Sequence, residues 1–186
     1  MDIIEEIRAY IPQCEQEERD KPVMLAFLAA HDDAFERSNL LAHMTASAWV
    51  ISPDRKKVAM CYHNLYNSWS WTGGHADGDR DLLAVAMREA EEETGVRTHL
   101  AAEGIFSLEN LTVDGHVKHG IWVPSHIHMN VTYLLQAEQE MLRPKPDENK
   151  AVRWMTPEEA LSASTEPWMV EHVYRKLIRR AEPYMK

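Results

Sequence analysis

Three glutamates near the middle of the chain have the residue type and the spacing of a metal-binding face. Glu89, Glu92 and Glu93 continue a stripe at i, i+3, i+4 and i+7 whose earlier members are apolar, so on an α-helix they lie along one side. Carboxylates crowded at the edge of a buried stripe repel one another and raise their own pKa values. A hard divalent cation such as Mg²⁺ or Mn²⁺ removes that penalty, because it prefers oxygen ligands. An acidic helix end open to solvent is the other interpretation, and spacing alone does not separate the two.

The helix that must carry these glutamates is predicted over residues 81–94. Asp79 or Asp81 is expected to cap its start, because a short oxygen-bearing side chain can accept a hydrogen bond from the first turn. Gly95 stands where a glycine commonly ends a helix. A loop rich in glycine and aspartate, residues 73–79, leads into the helix.

The remaining elements are predicted to surround this helix. Residues 2–41 have apolar residues at helical spacing, and Pro12 and Pro22 are expected to break them into shorter helices. Residues 46–51 and 58–63 are β-prone runs joined by a turn-like sequence, which predicts a hairpin. Strands are predicted within residues 98–137 and over 152–155, and closing helices over 157–161 and 167–181. This order favours an α/β or α+β fold with a mixed sheet.

The bulk composition limits the classes of partner. The 186 residues fit one domain with a modest extension, and 45% apolar residues can fill one core. A net charge of −10 disfavours a nucleic-acid polymer, because binding its backbone requires a basic face. Two cysteines, an acidic start and the lack of an apolar run of about 20 residues predict a soluble, cytoplasmic protein with no membrane partner.

The residues around the glutamates resemble the Nudix box. That box has Gly, five residues, Glu, seven residues, Arg-Glu, an apolar residue, any residue, Glu-Glu, any residue, Gly and an apolar residue. The chain has Gly74, Arg80 and the run from Arg88 to Val96 at these positions. Arg80 departs from the pattern, because the family usually has Glu there. Residues 69–74 and 152–159 resemble the approach to the box and the strand and helix that close these domains.

This resemblance implies an α/β/α sandwich with a mixed sheet, assigned to residues 44–186. Residues 1–43 lie outside the resemblance and are predicted to form an N-terminal helical extension. It also implies a Nudix-type pyrophosphohydrolase, a hydrolase acting on acid anhydrides. Water would attack phosphorus in a small nucleoside-diphosphate-linked or other organic diphosphate, with Mg²⁺ or Mn²⁺ as cofactor. A homodimer is left open.

Carried over position by position, the resemblance makes Glu92 and Glu93 metal ligands. Glu89 would be a ligand or the general base that deprotonates the water. Arg88 would orient Glu89 through a charge-assisted hydrogen bond. The carbonyl of Gly73, or of the next residue, can supply a further ligand.

Two more residues bear on this site. Glu148 lies six residues before Trp154, where some family members have a further carboxylate ligand or base. A solvated glutamate in a polar, Pro-rich loop is the other interpretation, so the general base is Glu89, Glu148 or another loop residue. Arg80 is expected to be peripheral to the metal and could touch an outer phosphate of the substrate.

Histidines and tryptophans supply candidates for substrate contact. His126 and His128 flank one residue of a strand-like segment and would share a face, where they could contact phosphates or be ordinary sheet residues. His75 directly follows the box glycines. Trp69 and Trp71 alternate if their tract is extended, so one could stack on a substrate ring while the other packs.

Two other functions remain compatible with the sequence. One is a ligand-sensing module with a vestigial box, and the other is a diphosphate isomerase on the same scaffold. The isomerases use a cysteine, whereas Cys61 in its predicted strand is expected to be an inert buried thiol. Trp154 and Trp168 are expected in the core. The substrate itself depends on loops outside the box, here residues 109–125 and 138–147.

Overall fold

The structure is a computed structural model that describes residues 2–64, 67–118 and 120–186. The first residue of the expected N-terminal extension therefore lies outside the described residues. The helices are α1 (Ile3–Ala9), α2 (Glu15–Ala30), α3 (Leu82–Thr94), α4 (Pro157–Ala163), α5 (Pro167–Met169) and α6 (Arg175–Ala181), with a π-helical turn (Val170–Tyr174) before α6 and a 3-10 turn (Glu182–Tyr184) after it. The strands are β1 (Ala42–Ile51), β2 (Val58–His63), β3 (Ser68–Ser70), β4 (Thr72–His75), β5 (Thr98–Leu100), β6 (Ser107–Val113), β7 (His116–Lys118), β8 (Ile121–Val123), β9 (His126–Ala137) and β10 (Asn149–Met155). No helix among the described residues is long and apolar enough to cross a membrane.

A mixed sheet is built around two long central strands. Its order is β10-β2-β1-β9-β5, with β3 paired to β2, β4 to β1 and β6 to β9. The β1 and β9 strands run parallel, from Ala42 opposite Ile127 to Ile51 opposite Gln136. The other pairs are antiparallel, including the predicted hairpin of β1 and β2. The mixed sheet predicted from the sequence is confirmed.

Alternate residues of β1 belong to two different cores. Its even-numbered residues from Ala42 to Val50 pack with α1, α2 and α3 in one apolar cluster. Trp49 and Ile51 pack in a second cluster with residues of α4, the π-helical turn and α6. All ten residues of β1 are buried, which is the burial expected of a strand covered on both faces. The sheet is therefore the middle layer of an α/β/α sandwich.

The N-terminal segment differs from the sequence prediction in two ways. The chain is broken near Pro12, as expected, but α2 continues through Pro22. Met24 and Leu28 are buried in the core after that proline, and their packing offsets its missing backbone hydrogen bond. Residues 31–41 form turns rather than the predicted helix, and they lead directly into β1.

Buried ion pairs connect the N-terminal helices to the end of the chain. The Glu17 carboxylate, 0% exposed, lies 2.7 Å from Arg180 Nη1 and 3.3 Å from Lys176 Nζ. Lys176 Nζ also lies 2.9 Å from Glu109 Oε1 of β6. The Tyr10 hydroxyl donates to Glu17 at 2.8 Å. The extension is thus held against the sheet by charge pairs as well as by apolar contacts.

Candidate active site

The local sequence around α3 fixes where its glutamates lie. Asp81 caps the helix, because its carboxylate accepts a 3.0 Å hydrogen bond from the Ala84 N–H. Gly95 ends the helix in the left-handed conformation, with φ of 75°. Both ends therefore match the sequence prediction. The buried stripe of α3 starts with apolar residues and reaches Glu93 in the last turn.

The two box glycines let β4 pass close to the acidic end of α3. A Cβ on Gly74 would lie 2.4 Å from Cδ of Glu89, closer than atoms can approach. A Cβ on Gly73 would lie 2.4 Å from Oγ of Ser47. The Gly73 N–H donates to Glu93 Oε1 at 2.9 Å. A side chain at position 73 would meet the backbone of β1, and one at position 74 would displace the Glu89 carboxylate.

Two of the box glutamates are held in an environment that disfavours their charge. Glu93 is 4% exposed, and burial raises its pKa to about 8, with Glu89 and Glu148 adding to the effect and the Gly73 N–H opposing it. Burial also raises the pKa of half-buried Glu89, reinforced by the neighbouring charges of Glu92 and Glu148. This is the carboxylate crowding that the sequence predicted.

The loop before β10 folds back over α3 and brings a lysine to the site. Lys145 Nζ lies 2.6 Å from Glu92 Oε2 and 2.9 Å from Glu148 Oε1. Hydrogen bonds to both carboxylates raise the Lys145 pKa above its ordinary value. Glu148 therefore lies beside the box glutamates. Lys145 was not anticipated, although its position three residues before Glu148 is a visible signal in the sequence.

These carboxylates fit a hard divalent cation. Their donor atoms are all oxygen, which Mg²⁺ and Mn²⁺ prefer. In the described structure Lys145 is the one basic side chain hydrogen-bonded to Glu89, Glu92, Glu93 or Glu148. Its ammonium lies between Glu92 and Glu148, so a cation already bridges part of this group. Glu89 has no hydrogen-bond partner within the described part of the chain, which leaves its oxygens free for a ligand.

The two box arginines lie apart from this centre. Arg88 is exposed and contacts Asp79 at 3.5 Å, and no Arg88–Glu89 hydrogen bond is found among the described residues. The Arg80 guanidinium lies over the ring of Phe35, 4.7 Å from its centroid, and lines a cavity of about 850 Å³ at the start of α3. Arg80 precedes α3 by two residues, and the helix from Leu82 to Glu89 alone spans about 10 Å at a rise of 1.5 Å per residue.

The tryptophans are divided between core and surface. Trp71 is buried against Tyr174, whereas Trp69 is half-buried under the Arg153 guanidinium, 5.4 Å from its ring centroid, beside a cavity of about 520 Å³. Trp154 is partly buried and donates to the Glu140 carbonyl at 2.8 Å. Trp168 is 49% exposed, so its expected place in the core is wrong. It lies in α5, a three-residue helix at the surface.

Cys61 is completely buried, in agreement with the sequence prediction. Burial raises the pKa of its thiol well above the usual value, with the charge of Glu93 adding to the effect. A thiol in this state is protonated and a poor nucleophile. This environment disfavours cysteine-dependent isomerase chemistry.

The histidine candidates meet on the far side of β4 from Glu89. His75 and His128 are half-buried, and His126 Nε2 lies 3.1 Å from His128 Nε2. His43, for which the sequence predicted nothing beyond surface or core filling, completes the group from the next strand. Burial lowers the pKa of His43, that of His75 to about 3 and that of His128 to about 2. These three imidazoles are therefore neutral at pH 7.

The sandwich and its acidic helix define a hydrolase scaffold of the Nudix type. The profile of the NUDIX domain matches residues 41–180, most of the chain. The chain belongs to the NUDIX family.

Two curated relatives share part of this domain. The m7GpppN-mRNA hydrolase NUDT17 of Homo sapiens is 32% identical over 107 residues, which are 53% of this chain and 32% of that protein. NUDT17 of Xenopus laevis is 34% identical over 99 residues, 50% of this chain and 32% of that protein. The match thus spans about a third of the length of these relatives.

Solved structures share the fold at low sequence identity. A NUDIX family hydrolase from Clostridium perfringens has 21% identity and a TM-score of 0.53 over 73% of this chain and 95% of that chain. A C. elegans Ap4A hydrolase has 14% identity and a TM-score of 0.53, and the match covers 75% of this chain and 96% of that chain. A UDP-X diphosphatase has 12% identity and a TM-score of 0.54, and the match covers 98% of this chain and 91% of that chain. This match therefore includes the N-terminal helices.

Proposed function

We propose that this protein hydrolyses a diphosphate bond in a small, nucleoside-linked substrate and that the reaction requires Mg²⁺ or Mn²⁺. One observation carries the proposal: Glu89, Glu92, Glu93 and Glu148 gather at one end of α3, and Lys145 alone among the described basic residues is hydrogen-bonded to them. Burying or crowding unpaired carboxylates is costly unless a cation binds. Such an arrangement is therefore typical of a functional site.

The metal ligands in this proposal are Glu92, Glu93 and the Gly73 carbonyl, with Glu148 as a further ligand. A bound cation would neutralise the negative charge of the diphosphate oxygens and lower the pKa of the attacking water. Lys145 must release Glu92 and Glu148 for both to serve. Because all three side chains are partly exposed, this exchange needs only side-chain rotation.

Glu89 is the proposed general base. Its pKa is raised by burial and its carboxylate has no hydrogen-bond partner among the described residues, so it can accept a proton. As it takes that proton, the water oxygen forms a bond to phosphorus. The bond between phosphorus and the bridging oxygen breaks, and the electron pair leaves with the departing phosphate. Arg88 is close enough in sequence to orient Glu89 once its contact with Asp79 is broken.

The names of similar proteins support a nucleoside-linked substrate. They refer to capped mRNA, Ap4A and UDP-linked compounds, which share a nucleoside attached to a phosphoanhydride. The acidic net charge of −10 favours a small member of this class over a long polyanion. Trp69, half-buried beside a cavity, is the proposed contact for a base or ring of the substrate. The substrate contacts predicted from the sequence for His75, His126 and His128 stay a prediction and form no part of this proposal.

The test is an incubation of the full chain with ADP-ribose, Ap4A, UDP-glucose and a cap dinucleotide, with and without Mg²⁺. We expect Mg²⁺-dependent release of mononucleotides from at least one compound, and incorporation of oxygen from isotopically labelled water into one product. Glu93→Gln should lose this activity, while Glu91→Gln, on the exposed side of α3, should keep it.

Binding of one of these compounds without turnover would favour the ligand-sensing module. Turnover of a capped RNA with none of the small compounds would contradict the choice of a small substrate. Activity unaffected by chelator would contradict the metal requirement.

A further inference from the structure

Three neighbouring strands bring three histidines together. His43 on β1 lies opposite His128 on the parallel strand β9, and His75 lies on β4, the antiparallel neighbour of β1. The ring centroids are 5.1 Å apart for His43 and His75, 5.0 Å for His43 and His128, and 4.9 Å for His75 and His128. One nitrogen from each ring lies within 4.8 Å of the other two.

His43 has a buried nitrogen with no partner in the described structure. Its Nδ1 lies 3.0 Å from the Asn39 carbonyl oxygen and must donate to it, which leaves the lone pair on Nε2. His43 is only 3% exposed, and its Nε2 is buried without a hydrogen bond from any described residue. An unsatisfied buried acceptor is costly, so a ligand bound to this atom would remove an energetic penalty.

The partner contacts of His126 determine the tautomer of His128. His126 Nδ1 lies 2.8 Å from the Pro124 carbonyl oxygen and donates to it, so its Nε2 is an acceptor. The 3.1 Å contact between the two Nε2 atoms must then use a hydrogen on His128. The free lone pair of His128 is therefore on Nδ1. Histidines that bind metals are held in the same way, with the other ring nitrogen donating to a fixed acceptor.

We propose that His43, His75 and His128 form a transition-metal site for an ion of the Zn²⁺ class, separate from the carboxylate site, with His126 as a residue that positions His128. Imidazole nitrogens select Zn²⁺ and similar metals, whereas Mg²⁺ prefers oxygen. Two nitrogens bound to a tetrahedral Zn²⁺ at about 2.1 Å are about 3.4 Å apart. The rings must therefore close by about 1 Å, and a fourth position remains for water or another ligand.

An anion fits this cluster less well than a cation does. The rings are neutral, and the unpartnered nitrogen of His43 carries a lone pair, which repels a phosphate oxygen. Arg37, the nearby guanidinium, is already hydrogen-bonded to Asp77. The centre of the site therefore offers electron pairs, although the charge of Lys118 also acts on His75.

The test uses the full chain without an affinity tag, stripped of metal by a chelator and titrated with Co²⁺ as a visible spectroscopic probe for Zn²⁺. We expect one equivalent of Co²⁺ to give a ligand-field absorption of nitrogen coordination. One equivalent of Zn²⁺ should displace it, whereas a large excess of Mg²⁺ should not. The absorption should persist in Glu93→Gln, which makes the result independent of the proposed diphosphatase.

Variants identify the ligands. His75→Ala and His128→Ala should each weaken Co²⁺ binding by at least about 100-fold, whereas His126→Gln should weaken it by about 10-fold and keep the position of the absorption band. His99→Ala, at an exposed histidine on β5, should change nothing. Circular dichroism verifies that each variant is folded.

Displacement of Co²⁺ by Mg²⁺, or loss of the absorption in Glu93→Gln, would place the ion at the carboxylates and overturn the proposal. Unchanged binding in folded His75→Ala or His128→Ala would also overturn it. The Mg²⁺ competition uses the unmodified protein, so it decides the matter even where a variant does not fold.

Discussion

Two groups of buried carboxylates in this protein differ in how their charge is neutralised. Glu17 and Glu109, both 0% exposed, are paired with Lys176 and Arg180. Glu93 is 4% exposed, and the donors to its carboxylate, the Gly73 N–H and the Cys61 thiol, are both neutral. The first group joins the two ends of the chain, and the second lies at the end of the helix that carries the family's box.

The pKa values of Glu17 and Glu93 move in opposite directions. Burial alone would raise the pKa of Glu17, but the Gln13 N–H and the charges of Lys176 and Arg180 lower it overall. The pKa of Glu93 is raised to about 8 because burial outweighs its neutral hydrogen-bond donors and the neighbouring charges of Glu89 and Glu148 add to the rise. Burial therefore does not by itself mark a functional carboxylate. A buried carboxylate that lacks a counter-charge indicates a functional site, because a bound cation would supply that charge.

The largest expected effect concerns the paired group. Glu17→Gln should lower the free energy of unfolding by about 3 kcal/mol or more, because it leaves the buried cations short of a counter-charge. The kcat of the folded protein should be retained. Denaturant unfolding measures the change, and Glu18→Gln, an exposed neighbour on α2, is the control and should stay within about 0.5 kcal/mol. A silent Glu17→Gln would mean that these ion pairs do not stabilise the fold.

The second prediction concerns pH and the unpaired group. The folded protein holds a proton on Glu93 up to about pH 8, whereas the unfolded chain releases it near 4.5. Without metal, stability should therefore fall by several kcal/mol as pH rises through this window, since each unit of difference in pKa corresponds to about 1.4 kcal/mol. The contribution of Glu17 has the opposite sign, since its lowered pKa stabilises the fold above its unfolded pKa and is lost in acid.

Urea unfolding across this pH range in the presence of chelator measures the slope. Glu93→Gln should flatten the slope of stability against pH. Saturating Mg²⁺ should remove this slope in the unmodified protein by stabilising the charged carboxylates. An equal slope in Glu93→Gln would assign the effect to other groups.

The third prediction separates activity from stability. Glu92→Gln and Glu93→Gln should each lower kcat by about two orders of magnitude or more, because each removes a proposed metal ligand. Neither should destabilise the metal-free protein, since each relieves repulsion between carboxylates. Steady-state kinetics with varied Mg²⁺ measure the effect. Full activity of both variants in chelator-treated buffer would contradict the metal assignment.

The fourth prediction removes the one described cation hydrogen-bonded to the second group. Lys145→Gln should lower the Mg²⁺ concentration for half-maximal activity several-fold, because the lysine competes for Glu92 and Glu148. The effect is small because partly exposed ion pairs contribute only about 0–1 kcal/mol each. Lys150→Gln, an exposed lysine on β10, is the control. A higher Mg²⁺ requirement in Lys145→Gln would instead make the lysine part of the catalytic arrangement.

Local patterns in the sequence predicted the elements that local interactions determine. The caps of α3 at Asp81 and Gly95, the hairpin of β1 and β2 and the buried Cys61 all follow from residue type and spacing. The apolar stripe that becomes acidic also identified which side of α3 carries Glu93. In each case the determining residues lie within one element or one turn.

Features that depend on distant contacts could not be predicted in this way. The proline in α2 is tolerated because Met24 and Leu28 pack against a core formed by strands far along the chain. His43 joins His128 only because β1 and β9 pair in parallel, and no local pattern reports that register. The pairing of Glu17 with Arg180 likewise joins opposite ends of the sequence. Residue type suggested chemistry at such positions, but tertiary structure decided which partners were present.

The smallest expected effect tests which group Arg80 belongs to. Arg80 replaces the usual glutamate of the box, yet it lies just before the capped start of α3, about two helical turns before Glu89. Its guanidinium packs on the Phe35 ring in a cavity that Glu6 and Asp81 also line, so its charge has acidic neighbours of its own.

Arg80→Ala should therefore change kcat by less than ~10-fold, with a loss of stability of about 0.5–1 kcal/mol from the lost ring contact. If the side chain contacts an outer phosphate, KM should rise while kcat holds. A collapse of kcat at unchanged KM would place Arg80 in the catalytic group, and the separation between the two ends of α3 would then be wrong.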